Sequence, residues 1–215
     1  MLISDSHKFV FHHIPKTAGS SITAVLAKYC RGHQGVPEEF GYSVGPPFKK
    51  VGTYTYPDDL HCGHWMHEPV RNVIDDIPEG YFSFAFARRP IDLLLSAFYS
   101  NDTLYSANTF DEFVDRGPSS IKEAYKDYNN SSRLLSQYDF LTDEDGNILV
   151  DRIGLFSSLQ KDFDDISLKI GIDQEELPVW NKGNRMSGDI SSHITPELIK
   201  SLNSFYEKDM RYFGC

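Results

Sequence analysis

The chain is poor in cysteine: Cys30, Cys62 and Cys215 are the only three in 215 residues. So sparse and odd a set excludes a disulfide-stapled secreted scaffold. Positive charge is also short. Lys and Arg number 21 against 31 Asp and Glu, giving a net charge of −10. A general nucleic-acid binder needs the opposite balance. No uninterrupted apolar run is long enough for a helical membrane span. Met1-Leu2-Ile3 passes straight into Ser4, Asp5 and Ser6, so no secretory leader is expected. Internal repeats and low-complexity tracts are lacking too, which excludes solenoids and biased linkers.

What remains is a globular composition, 40% apolar with 13% aromatic residues. The length predicts a single domain over 1–215 with room for a substantial core. Apolar periodicity then divides the chain. Strands are expected at Lys8–His13, Lys49–Tyr56, Tyr81–Ala87 and Arg152–Phe156. Helices are expected at Ser20–Arg31, at Leu159–Ile170, at about Pro196–Tyr212, and where Ile91, Leu94, Leu95 and Phe98 form one face. Phe110–Leu135 is helical in pattern. Gly32–Pro47 and Asn181–Gly188 read as loops, and Asp58–Pro69 as a polar, histidine-rich turn region. Strands that meet helices after short loops predict an α/β fold, a central parallel sheet flanked by helices.

The first of these junctions carries chemistry. The strand Phe9-Val10-Phe11-His12 runs into His13-Ile14-Pro15-Lys16-Thr17-Ala18-Gly19-Ser20-Ser21. Ile22, Val25, Leu26 and Tyr29 follow at helical spacing. A strand, a tight loop and a helix N-terminus make an anion cradle: N–H groups point outward and the helix dipole favours negative charge. Lys16 adds a full positive charge, and Thr17, Ser20 and Ser21 add hydroxyls. The simplest guest is a phosphate or a sulfate. The loop is not a standard nucleotide P-loop, whose lysine follows its second glycine. Here Lys16 precedes the only glycine. The plainer alternative is an ordinary junction capped by Ser20 or Ser21, but a cap does not require the preceding Pro-Lys-Thr.

His13 to Ser21 resembles the 5′-phosphosulfate loop of sulfotransferases, close to H-I-P-K-T-A-G-T-S, with Ser20 in place of threonine. Those enzymes use 3′-phosphoadenosine 5′-phosphosulfate (PAPS) as sulfuryl donor. The resemblance implies that Pro15, Lys16, Thr17, Ala18, Gly19, Ser20 and Ser21 hold the 5′ end of this nucleotide. Lys16 is then also catalytic, stabilising charge on the bridging oxygen as the S–O bond breaks.

A second match lies downstream. The strand Tyr81–Ala87 ends at Arg88-Arg89-Pro90, with Ser96 eight residues after Arg88. This resembles the family's 3′-phosphate motif, R-D-P-x-x-R-x-x-S, and implies that Arg88 and Ser96 hold the 3′-phosphate. A guanidinium at a strand end can fork onto two phosphate oxygens. Two positions depart from the motif. Arg89 replaces an acidic residue and adds local positive charge, and Leu93 replaces the second arginine. Without the first loop, Arg88 and Arg89 would pass for solvated strand-end charges.

Further stretches are similar to Golgi-type carbohydrate sulfotransferases and their bacterial relatives: Gln137–Leu141, Asp145–Asp151 and Asn181-Lys182. In that group a loop before the C-terminal helix lends basic residues to the nucleotide, which implicates Lys182 and Arg185. Arg133 lies in a segment like the family's Asn-x-x-x-Arg-Leu stretch and is expected on the acceptor side. Golgi relatives carry an N-terminal anchor. Here the first expected strand opens at Lys8, so the chain resembles a bare bacterial catalytic domain, expected to be cytoplasmic.

The acceptor hydroxyl needs a base. His61-Cys62-Gly63-His64-Trp65-Met66-His67 lies between the two donor motifs, where some carbohydrate sulfotransferases carry a catalytic histidine. A histidine titrating near neutrality suits that task. His64 matches best and His61 next, and Glu68 remains open. These histidines could equally be packed or surface residues. A zinc site with Cys62 is a further alternative, although the spacing fits no familiar tetrahedral set. Trp65 could stack on a sugar ring or belong to the core. The implied reaction needs no metal: a sulfuryl group carries less charge than a γ-phosphoryl, and adenosine 3′,5′-bisphosphate leaves. A sugar hydroxyl is the favoured acceptor, with a glycolipid, a small alcohol or a tyrosyl hydroxyl open. The competing readings are a P-loop kinase or nucleotide hydrolase, and an inactive nucleotide-binding module.

Overall fold

The computed structural model describes residues 1–30, 48–51, 54–57, 67–98, 136–179, 195–196, 199–200, 204 and 206–213. Six strands and five helices are defined among them, with short 3-10 turns between. The strands are β1 (Leu2–Ser4), β2 (Phe9–His12), β3 (Phe48–Val51), β4 (Tyr54–Pro57), β5 (Phe82–Ala87) and β6 (Arg152–Leu155). The helices are α1 (Gly19–Leu26), α2 (Pro90–Phe98), α3 (Gln137–Leu141), α4 (Leu159–Ile170) and α5 (Glu207–Tyr212).

The main sheet has the order β1-β2-β5-β6. β2 pairs with β5 and β5 with β6 in parallel, while β1 lies antiparallel along β2. The α/β class is therefore as expected, with one antiparallel edge strand that periodicity does not reveal. Three residues at the start of the chain are too few to show an alternation. β3 and β4 form a separate antiparallel pair. The strand expected over Lys49–Tyr56 is thus two, because the ladder folds back where Val51 meets Tyr54.

β2 and β5 are apolar on both faces because both faces are covered. On one face Phe9, Phe11, Phe84 and Phe86 meet Ile22, Val25 and Leu26 of α1 and Phe163, Ile166 and Ile170 of α4. Gly154 of β6 lies under Phe86, where an added Cβ would stand 2.4 Å from the ring. On the other face Ala85 and Ala87 meet Val70, Tyr138, Phe140, Leu141 and Phe213. α4 matches its expected span and ends in left-handed Gly171, the usual solution at a helix C-terminus. α1 is shorter than Ser20–Arg31. It tightens into a 3-10 turn at Ala27–Tyr29 and then extends at Cys30. The last helix also differs: Tyr206 leaves helical geometry with its ring buried, and α5 begins after it. Among the described residues no helix is long and apolar enough to cross a membrane.

His12 ends β2 fully buried, and neither ring nitrogen has a hydrogen-bond partner among the described residues. Burial first, and the nearby α-amino charge second, push its pKa from 6.5 down to about 3. The unfolded chain takes up a proton below pH 6.5 that the folded chain refuses. Stability present at neutral pH is therefore lost as pH falls from 6.5 toward 3. Denaturant unfolding at pH 7.5 and pH 5 checks this. The wild type should lose more stability between those pH values than His12→Leu, and equal losses would remove His12 as the cause.

Candidate active site

Parallel pairing of β2 with β5 sets Phe11 opposite Phe84 and His12 opposite Ala85. Both chains therefore leave the sheet at the same edge, the carboxyl end of the strands, where open α/β sheets bind their ligands. The loop 13–18 leaves β2 there, and Arg88 follows β5 there.

The loop is held in an unusual shape. Lys16 (φ 66°) and Ala18 (φ 69°) are left-handed, although neither is glycine. Such residues cost on the order of 1–3 kcal/mol each and persist only where their surroundings over-determine them. Left-handed residues alternating with right-handed ones turn successive N–H groups to one side, the geometry of an anion-binding nest. Ala18 is also the N-cap of α1, and no side chain caps that helix. Alanine is a poor residue for that position. The first N–H groups of α1 thus lack the usual side-chain acceptor, as a helix that takes its cap from a bound anion would.

Three contacts brace the loop. The buried Thr17 hydroxyl donates to the Ile14 carbonyl at 2.8 Å. Of the hydroxyls expected to serve a guest, this one instead staples the loop. The ring of His13 lies over Gly19, stacked on Phe11, and a Cβ at position 19 would stand 1.8 Å from it. The third brace is Arg88, whose Nη1 donates to the Lys16 carbonyl at 3.2 Å. The loop after β2 and the arginine after β5, far apart in sequence, are in direct contact.

The Arg88 guanidinium also lies 3.8 Å above the centre of the Phe156 ring. Phe156 follows β6, so the ends of three parallel strands meet here. Arg89 points elsewhere: it is exposed and pairs with Asp92 at 2.6 Å, so the charge it brings is matched locally. Leu93, in place of the motif's second arginine, is buried. Pro15, Gly19 and Ser21 are buried, while Lys16, Ala18, Ser20 and Ser96 are partly exposed. Ser96 is on α2. His61, His64, Trp65, Arg133, Lys182 and Arg185 lie outside the described residues. The carboxylate of Glu68 accepts from the Asn72 side chain at 2.6 Å.

Three further residues have no assigned role in the sequence pattern. His67 closes the histidine-rich stretch. Its Nδ1 is 3.1 Å from the His13 carbonyl and its ring meets that of His13 edge-on. Gln137 grips the backbone of Arg88. Asp209, on α5, is fully buried at the N-terminus of α3, where Tyr138 N–H donates to it at 2.7 Å and Gln137 N–H at 3.2 Å. Burial pushes its carboxyl up to about 7, against those hydrogen bonds, which pull it down. No local signal marks a buried carboxylate on a helix, or a glutamine that reaches another strand's end.

At the strand ends of this α/β sheet stand a loop of nest geometry carrying Lys16 and an arginine stacked on an aromatic ring, an arrangement suited to an anion. The sequence profile described as the sulfotransferase family matches residues 1–214, and the chain belongs to that family. No curated protein and no solved structure matches it.

Gly19→Ala tests the loop's packing. The methyl group cannot enter without displacing the His13 ring, and overpacking of this kind costs roughly 1–3 kcal/mol. Urea unfolding should show that loss, and unchanged stability would mean the ring moves aside freely.

Proposed function

We propose that this sulfotransferase moves a sulfuryl group from PAPS to an acceptor hydroxyl, that of a carbohydrate or glycoconjugate. The observation that carries the proposal is the contact between Arg88 and the Lys16 carbonyl. It supports the reading because a nucleotide with phosphate at its 3′ and 5′ ends needs its two binding elements side by side, and here the loop and Arg88 touch.

PAPS supplies the activated sulfuryl group when bound. The backbone N–H groups of Thr17 to Ser21 hold its 5′-phosphate, and Arg88 with Ser96 holds the 3′-phosphate. Lys182 and Arg185 add positive charge toward the nucleotide. Lys16 stabilises the negative charge that builds on the bridging oxygen. A base from the histidine-rich stretch, His64 or His61, takes the acceptor proton as the acceptor oxygen bonds to sulfur and the bridging S–O bond breaks. Trp65 and Arg133 are assigned to binding the acceptor. Sulfuryl transfer asks for little covalent work, and preorganised donors carry most of the rate. The low charge of the sulfuryl group lets Lys16 serve without a metal ion. A sugar acceptor is supported by the histidine stretch and by the likeness to Golgi-type enzymes.

Two measurements test this. Lys16→Ala should lower labelled-sulfate transfer about 100-fold or more, with melting temperature and circular dichroism unchanged; full transfer by that variant would remove the lysine's role. Arg88→Ala should weaken adenosine 3′,5′-bisphosphate binding about tenfold or more by calorimetry, since a hydrogen-bonded charged partner is lost. A thermal shift by ATP with Mg²⁺, and none by the bisphosphate, would favour a kinase or hydrolase instead.

A further inference from the structure

The arginine at the centre of the proposed donor site is held from behind. Arg88 stands one residue past the last ladder pair of β5 and β6, Ala87 with Leu155. The next rung is supplied by a side chain. Arg88 N–H donates to Gln137 Oε1 at 2.7 Å, and Gln137 Nε2 donates to the Arg88 carbonyl at 2.6 Å. This carboxamide bonds both the N–H and the C=O of Arg88, as a neighbouring strand would. Gln137 is 1% exposed, so water does not compete for it. Burial makes both bonds costly to lose, because each would leave a polar group without a partner.

Gln137 is itself anchored. It opens α3, whose first turn is tied to the buried Asp209 carboxylate through Gln137 N–H, Tyr138 N–H and the Ser136 hydroxyl. A line of contacts thus runs from α5 through α3 to the Arg88 backbone, and from the Arg88 side chain to the Lys16 carbonyl.

We propose that Gln137 is a positioning residue for the donor 3′-phosphate. Its carboxamide fixes the Arg88 backbone and thereby the direction from which the guanidinium, stacked on Phe156, meets the phosphate. The inference rests on the reading of Arg88 as the 3′-phosphate ligand. It adds a residue that does not touch the nucleotide and acts only through Arg88.

The test is calorimetric titration with two probes, adenosine 3′,5′-bisphosphate and adenosine 5′-phosphate. Gln137→Met keeps the volume and removes both bonds. Its affinity for the bisphosphate should fall about tenfold, a larger factor than its affinity for the 5′-phosphate, which Arg88 reaches only by bracing the Lys16 carbonyl. Equal losses for both probes, or no loss for either, would overturn the positioning role. If Gln137→Met does not fold, Gln137→Asn decides by the same comparison. Its neutral amide is one methylene too short to close both bonds. Arg88→Ala belongs in the same series. Should it bind the bisphosphate like the wild type, the reading of Arg88 fails. Should it lose affinity while the Gln137 variants do not, the positioning role alone fails.

Discussion

The Arg88 guanidinium joins what the rest of the site depends on. It lies across the end of the sheet, donating to the Lys16 carbonyl and stacked on Phe156. Each partner arrives on a different parallel strand, so the contact exists only when β2, β5 and β6 are in register. Parallel strands need long connections, which is why the parts are so far apart in sequence. A cation over an aromatic face contributes roughly 0.5–2 kcal/mol, and a hydrogen bond from a charged group contributes about 1.5–3. These amounts are comparable to the backbone strain at Lys16 and Ala18. Arg88 therefore helps hold a conformation that the loop would not keep alone.

The polar groups behind the site do more than fill space. The side chains of Gln137 and Thr17 hydrogen-bond to backbone, and Asp209 accepts from two backbone N–H groups as well as from the Ser136 hydroxyl. Backbone partners fix the path of the chain whatever side chains surround them. The cradle's shape is thus built from main-chain geometry, while its charge comes from Lys16 and Arg88. Shape and charge meet in Arg88, whose guanidinium also braces the loop.

Much of this was legible in the sequence because it is local. The apolar runs of β2 and β5 and the loop His13 to Ser21 are contiguous, and a contiguous pattern survives without tertiary context. α4 shows its buried face at helical spacing and ends at a glycine. Other features depend on distant partners. β1 is too short to signal itself, and Tyr206, its ring buried, stands outside helical geometry just before α5. Gln137 sits in a stretch that resembles the family, yet its role appears only when α3 meets the end of β5. Arg89 looked like added charge until Asp92, one helical turn away, was seen to match it. The histidines chosen from the 61–67 stretch lie outside the described residues. Among the described residues, His67, at the end of that stretch, lies against the loop.

Ala18 carries a consequence of another kind. Its φ of 69° lies on the side of conformational space that suits the mirror-image amino acid. A D-alanine built into this position by chemical synthesis would rest there without penalty, whereas the natural enantiomer is held against its own chirality. Glycine would relieve the same conflict, but only by giving the unfolded chain more freedom. The loop's form is thus one that an L-amino acid with a side chain resists.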